Sequence, residues 1–96
     1  MRNYELAYII DSELDEQSVT AVEERVNGWI EAAGGTITDV ERLGKKRLAY
    51  PIQKRSEGHY YFVQIEMPEN AGGLIEQDLR LSEQILRFMI SSQETT

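Results

Sequence analysis

Tyr60-Tyr61-Phe62-Val63-Gln64-Ile65-Glu66-Met67 is the stretch on which the fold turns. Its residues alternate: Tyr61, Val63, Ile65 and Met67 fall on one side of an extended chain, and Tyr60, Phe62, Gln64 and Glu66 on the other. A period of two with one apolar side marks a half-buried strand, because successive Cβ atoms of a pleated chain point to opposite faces. Pro68 has no N–H to give to a ladder and stops it. One face of the resulting sheet must pack on a core. The other, with two aromatics beside an amide and an acid, is left looking out.

Upstream, Gln53 to Gly58 reads as a hairpin tip, and Thr36 to Ile52, rich in β-branched and aromatic residues, as the strand it joins. Gly44 and Pro51 interrupt that strand, so it is expected to be long, bent and at a sheet edge. Asn3 to Ile10 is another strand, with Tyr4, Leu6, Tyr8 and Ile10 on one face. Asp15 is placed to cap a helix running to about Ala33, along which Val19, Val22, Val26, Trp29, Ile30 and Ala33 recur at three and four residues to make one apolar stripe. Gly34-Gly35 ends it, since glycine takes the left-handed C-terminal conformation without a Cβ clash.

Beyond Pro68, Asn70 is expected to cap a second helix carrying Leu74, Ile75, Asp78 and Leu79, weakened at its start by Gly72-Gly73. Ile85 to Ser91 supplies a last strand. The order β-α-β-β-α-β predicts an α+β, ferredoxin-like two-layer sandwich: a four-stranded antiparallel sheet with both helices on one face. The first and third strands are central, and the second and fourth are edges. Residues 1–92 form one domain, and 93–96 a short polar tail.

Composition narrows the function classes. Hydrophobic residues at 41% are enough for a core, and no apolar run approaches the ~20 residues a membrane helix needs. Cysteine is absent, which removes disulfides and thiolate chemistry. With no basic leader or cleavage site at the N-terminus, the cytoplasm is the expected location. His59 is the only histidine and the carboxylates are scattered along helix surfaces, so neither an acid–base constellation nor metal-ligand spacing is present, and no cofactor is expected. The glycine pairs lack the strand, lysine and helix of a phosphate loop. An acylphosphatase-like site would need an arginine close after the first strand together with an asparagine, whereas Arg2 precedes the strand and Asp11-Ser12 follows it. The chain is read as a non-enzyme.

Charge is the positive signal. Arg42 to Ser56 holds no acid and six of the ten basic residues, so a net charge of −7 divides into about +6 on this segment and −13 on the rest. Lys45, Lys46 and Arg47 come from the expected edge strand, and Lys54 and Arg55 from the hairpin tip. Lysines on an edge discourage pairing with a second sheet, but five such cations exceed what one edge requires. Contact with nucleic-acid phosphate, which releases condensed counterions, accounts for the surplus. Tyr60 and Phe62 sit one register away from the aromatic positions of RNA-recognition sheets, and Glu66 on the same face repels phosphate. They are assigned to docking a protein partner, where exposed aromatics dominate interface energies. An acidic body is a poor lone RNA binder, so the expected partner is basic.

Glu41 to Pro68 combines Gly44 and its following cations, Leu48-Ala49-Tyr50-Pro51-Ile52, a basic tip, Gly58 with its aromatic run, and Met67-Pro68. Together with the opening Met1-Arg2-Asn3-Tyr4-Glu5-Leu6, this resembles the bacterial ribosomal protein S-six family, the sixth protein of the small subunit, over nearly the whole chain. The resemblance implies a structural ribosomal protein that forms a heterodimer with the eighteenth small-subunit protein and sits on the central domain of small-subunit ribosomal RNA. It also implies RNA contacts near the chain start and in the last strand, which fall here on Arg2, Tyr4 and Arg87. Because the first and last strands are expected neighbours, Arg2 and Arg87 are expected to form a second basic cluster. The alternative is a small-molecule-binding regulatory domain of the same topology, acting as a homodimer.

Overall fold

A computed structural model describes residues 2–52 and 55–92. Six elements follow one another: β1 (Arg2–Asp11), α1 (Glu16–Ala32), β2 (Thr36–Ile52), β3 (Arg55–Met67), α2 (Ala71–Leu81) and β4 (Ile85–Ser92). The sheet order is β2-β3-β1-β4, and every neighbouring pair is antiparallel. This is the expected ferredoxin-like sandwich, with β2 and β4 at the edges. The expected tail, 93–96, lies outside the described residues.

The alternation of β3 places Tyr61, Val63, Ile65 and Met67 in the core, where Leu6, Tyr8 and Ile10 of β1 join them. Val22, Val26 and Ile30 of α1, with Ile75 and Leu79 of α2, cover this face. Burying each such aliphatic side chain contributes on the order of 1.5–3 kcal/mol before conformational entropy is counted. The opposite face carries no helix.

Helix ends follow local chemistry. The Asp15 carboxylate accepts from the Ser18 N–H at 2.8 Å, and that hydrogen bond holds its pKa below the ordinary value. Gly34 ends α1 at φ +89°, a left-handed conformation that costs glycine nothing. At α2 the expectation fails in part, because Asn70 has near-helical backbone angles (φ −88°, ψ −3°) and its side chain makes no cap bond. A capping side chain reaches the free amides from extended backbone, which Asn70 does not adopt. Leu74 also departs from the expected stripe: Ala71, Ile75 and Leu79 take the buried face, and Leu74 is 59% exposed.

The hairpin is longer than the sequence suggested. β3 begins at Arg55, with Ile52 paired to it, so that only Gln53 and Lys54 lie between the strands, and both are outside the described residues. Gly58 is a buried strand residue, not a turn. A Cβ there would stand 2.3 Å from Ile9 Cγ2, so glycine permits β3 to approach β1. Because β1 ends opposite Gly58, the hairpin residues 47–52 and 55–57 extend past the end of β1 as an arm. Register shifts at Ile37/Asp39, Arg42/Gly44 and Arg47/Ile52, with Gly44 at φ +78°, bend β2 along its length.

Candidate nucleic-acid and partner interface

Lys45, Lys46 and Arg47 stand where the arm leaves the sheet, opposite His59, Gly58 and Glu57 of β3. All three are exposed, and among the described residues no carboxylate forms an ion pair with any of them. Paired residues share a face, so Lys45 and Arg47 project on the helix side and Lys46 on the bare side. Lys45 is felt by its neighbour: partial burial, and then this ammonium, hold the His59 pKa below its ordinary value. Lys54 lies outside the described residues.

The other cations of the segment are engaged. Arg42 grips Glu23 of α1 through both carboxylate oxygens, with Nε–Oε1 at 2.9 Å. Arg55 reaches Asp11 Oδ1 at 3.0 Å and Glu13 Oε2 at 3.4 Å. Arg87 donates to the Tyr50 hydroxyl while its guanidinium lies 5.6 Å from the centre of that ring. Arg2 pairs with Glu69 at 3.5 Å.

Arg2 and Arg87 do not form the expected second cluster. Pairing sets Arg2 opposite Met67 and Ile9 opposite Arg87, and the seven residue steps from Arg2 to Ile9 span roughly 23 Å of extended chain. Neighbouring antiparallel strands bring together the start of one and the end of the other, whereas Arg87 is near the start of β4. Tyr4 points to the core side, half-buried against the cluster there.

Tyr60 and Phe62 look out from the bare face as expected, each half-buried among its neighbours. Pairing arranges that face in rows. Arg87, Ile9 and Tyr60 form one, Met89, Ala7, Phe62 and Glu41 the next, and Ser91, Glu5, Gln64 and Asp39 a third. The first two rows enclose an apolar hollow of about 130 Å³ lined by Ala7, Ile9, Tyr60, Phe62 and Met89 beside Arg87. The third, where Gln64 Nε2 donates to Glu5 Oε2 at 2.7 Å, is acidic. Sequence alone identified the aromatics but not Ile9, Met89 or Tyr50, whose roles depend on which strands are neighbours.

Among the described residues no cluster of His, Cys, Asp and Glu is arranged to hold a metal, and no helix is long and apolar enough to cross a membrane.

The chain resembles known proteins along nearly its whole length. Residues 3–92 match the family profile described as "Ribosomal protein S6". "Small ribosomal subunit protein bS6" of Clostridium novyi is 35% identical over 98% of this chain and 99% of its own length. The protein of the same name from Desulforamulus reducens is 38% identical over 94% of this chain and 95% of its own. Among solved structures, that of 30S ribosomal protein S6 from Thermotoga maritima superposes with a TM-score of 0.92 at 30% identity, covering 96% of this chain and 87% of that one. With the family profile matched over residues 3–92 and the fold shared with a solved S6 structure, the chain belongs to the ribosomal protein S6 family and is a structural, non-enzymatic component of the small ribosomal subunit in the cytoplasm.

Proposed function

We propose that this chain binds small-subunit ribosomal RNA through its basic arm while holding a basic companion, the eighteenth small-subunit protein, on its bare sheet face. The observation that carries the RNA contact is the contrast within one segment: Arg42 and Arg55 are bound to carboxylates of the same molecule, whereas Lys45, Lys46 and Arg47 are exposed and pair with none among the described residues. Cations already neutralised have few counterions to release, and unpaired ones have them available. Lys54 extends the same segment in sequence; Arg2 and Tyr4, at the far end of β1, are proposed as a separate, weaker contact, for which Arg2 must exchange Glu69 for phosphate and Tyr4 stays on the core side.

The partner surface follows from the rows of the bare face. An apolar hollow between Tyr60 and Phe62 suits a buried anchor side chain, and Glu5, Asp39, Glu41 and Glu66 beside it favour a positively charged neighbour. Such a companion offsets the −7 charge that otherwise opposes approach to RNA. The test is a gel-shift with a central-domain RNA fragment, using this protein alone, the companion alone, and the mixture. Retention should be strong only for the mixture. Equal binding by the isolated chain, or a stable homodimer that ignores both RNA and companion, rejects the proposal.

A further inference from the structure

Among the described residues the strands of the arm pair only with each other, yet side chains fasten it on two sides. Sheet order puts β2 three strand spacings from β4, roughly 14 Å, so Tyr50 meets Arg87 only because the bent end of β2 curls across the sheet. There the guanidinium donates to the hydroxyl, with its carbon 5.6 Å from the ring centre. Arg55, on the returning strand, is held by Asp11 at the end of β1 and by Glu13 in the following turn. One fastening runs to the last strand and the other to the first turn, and between Arg47 and Tyr50 the buried Leu48, 7% exposed, adds an apolar contact.

We propose that Arg87 with Tyr50, and Arg55 with Asp11 and Glu13, are two clamps that set the direction of the basic arm before any RNA is met. Arg55 and Arg87 are then positioning residues, and Lys45, Lys46 and Arg47 make the phosphate contacts. The proposal rests on the arm being the RNA-binding element, but the clamps themselves can be tested without RNA. A cation on a partly exposed aromatic ring, at about 0.5–1 kcal/mol, corresponds to a two- to fivefold change in a local opening equilibrium.

Amide hydrogen exchange of the free protein, read over residues 45–52 and 55–58, is the first measurement. Arg87→Ala, Tyr50→Ala and Arg55→Ala should each speed exchange about two- to fivefold there, and Lys46→Ala should not. The second measurement is RNA binding by the mixture with the companion across a salt series. A clamp mutant lowers only the fraction of molecules with the arm correctly placed, so its plot of log affinity against log salt should be displaced but parallel. Lys46→Ala should instead reduce the slope by about 0.7–0.9. Unchanged exchange in Arg87→Ala and Tyr50→Ala overturns that clamp, and unchanged exchange in Arg55→Ala overturns the other. A slope reduced by about one in Arg87→Ala or Arg55→Ala makes that residue a phosphate contact and overturns the division of roles. If Lys46→Ala and the clamp mutants all bind RNA as wild type does, the arm's RNA role fails, and the exchange data alone decide whether the clamps exist.

Discussion

The rings of Tyr8 and Tyr61, paired residues of β1 and β3, stack at a centroid separation of 5.0 Å with 6° between their planes. The Tyr8 hydroxyl is buried and has no hydrogen-bond partner among the described residues. Burial, then the nearby Glu23 carboxylate, push its pKa well above the ordinary 10.0. Tyr61 is raised by the same two causes.

Replacing Tyr8 by Phe should therefore leave stability at neutral pH unchanged or increase it by up to about 1 kcal/mol, because a buried unpaired hydroxyl contributes nothing favourable. The pH dependence fixes the sign. A phenol whose folded pKa is raised adds stability that is fully present below the unfolded value of 10.0 and is lost as pH rises toward the folded one. Urea midpoints for wild type should fall above about pH 10, and Tyr8→Phe should lessen that fall.

Gly58→Ala should destabilise the fold by about 1–3 kcal/mol, since the new methyl would overlap Ile9 Cγ2. Ile9→Ala removes the obstructing atom. In a double-mutant cycle by urea unfolding, the penalty of Gly58→Ala should shrink on the Ile9→Ala background, by about 1 kcal/mol or more.

Changing Lys45, Lys46 and Arg47 together to Ala should leave far-UV circular dichroism and the melting temperature nearly as in wild type, because all three side chains are exposed. Assembly onto RNA with the companion protein should weaken, and the deficit should narrow as salt is raised. Undiminished assembly at low salt would assign the three cations to protecting the β2 edge.

Phe62→Ala should weaken capture of the companion protein by about 2 kcal/mol, near thirtyfold, in isothermal titration calorimetry. A control at Thr20, exposed on α1 away from the bare face, should bind as wild type does.

His59 offers a probe of the arm. Its lowered pKa means that the folded protein resists protonation, so its share of stability is present above the unfolded value of 6.5 and is lost as pH falls through the folded one. Lys45→Ala removes the second cause of that shift. The imidazole titration followed by NMR should then move toward higher pH, while partial burial keeps it below the ordinary value.

The sheet and core were legible in the sequence because they depend on periodicity. The alternation of Tyr60 to Met67 and the three-and-four spacing from Val19 to Ile30 each fix a buried face without knowledge of the rest. Gly58 misled because a lone glycine among polar residues has the same composition whether it bends a chain or lets two strands touch. Asn70 misled because capping depends on backbone angles that residue type does not determine. The basic segment was visible as charge, but the division of its cations into engaged and unpaired ones was not. Glu23, Asp11 and Glu13 are distant from Arg42 and Arg55 in the chain, and only the fold brings them together. Arg2 and Arg87 illustrate the same limit: neighbouring strands were foreseen, but register decides which ends meet.

The central position of β1 has a consequence for biosynthesis. β1 needs both β3 and β4 beside it, and it is made before either of them. Until Ile85–Ser92 emerges, one side of β1 keeps its ladder groups unmet and its apolar row, Leu6, Tyr8 and Ile10, only partly sheltered. The sheet thus cannot close until β4 has been made, and the nascent polypeptide must be kept from aggregating while β1 waits for it.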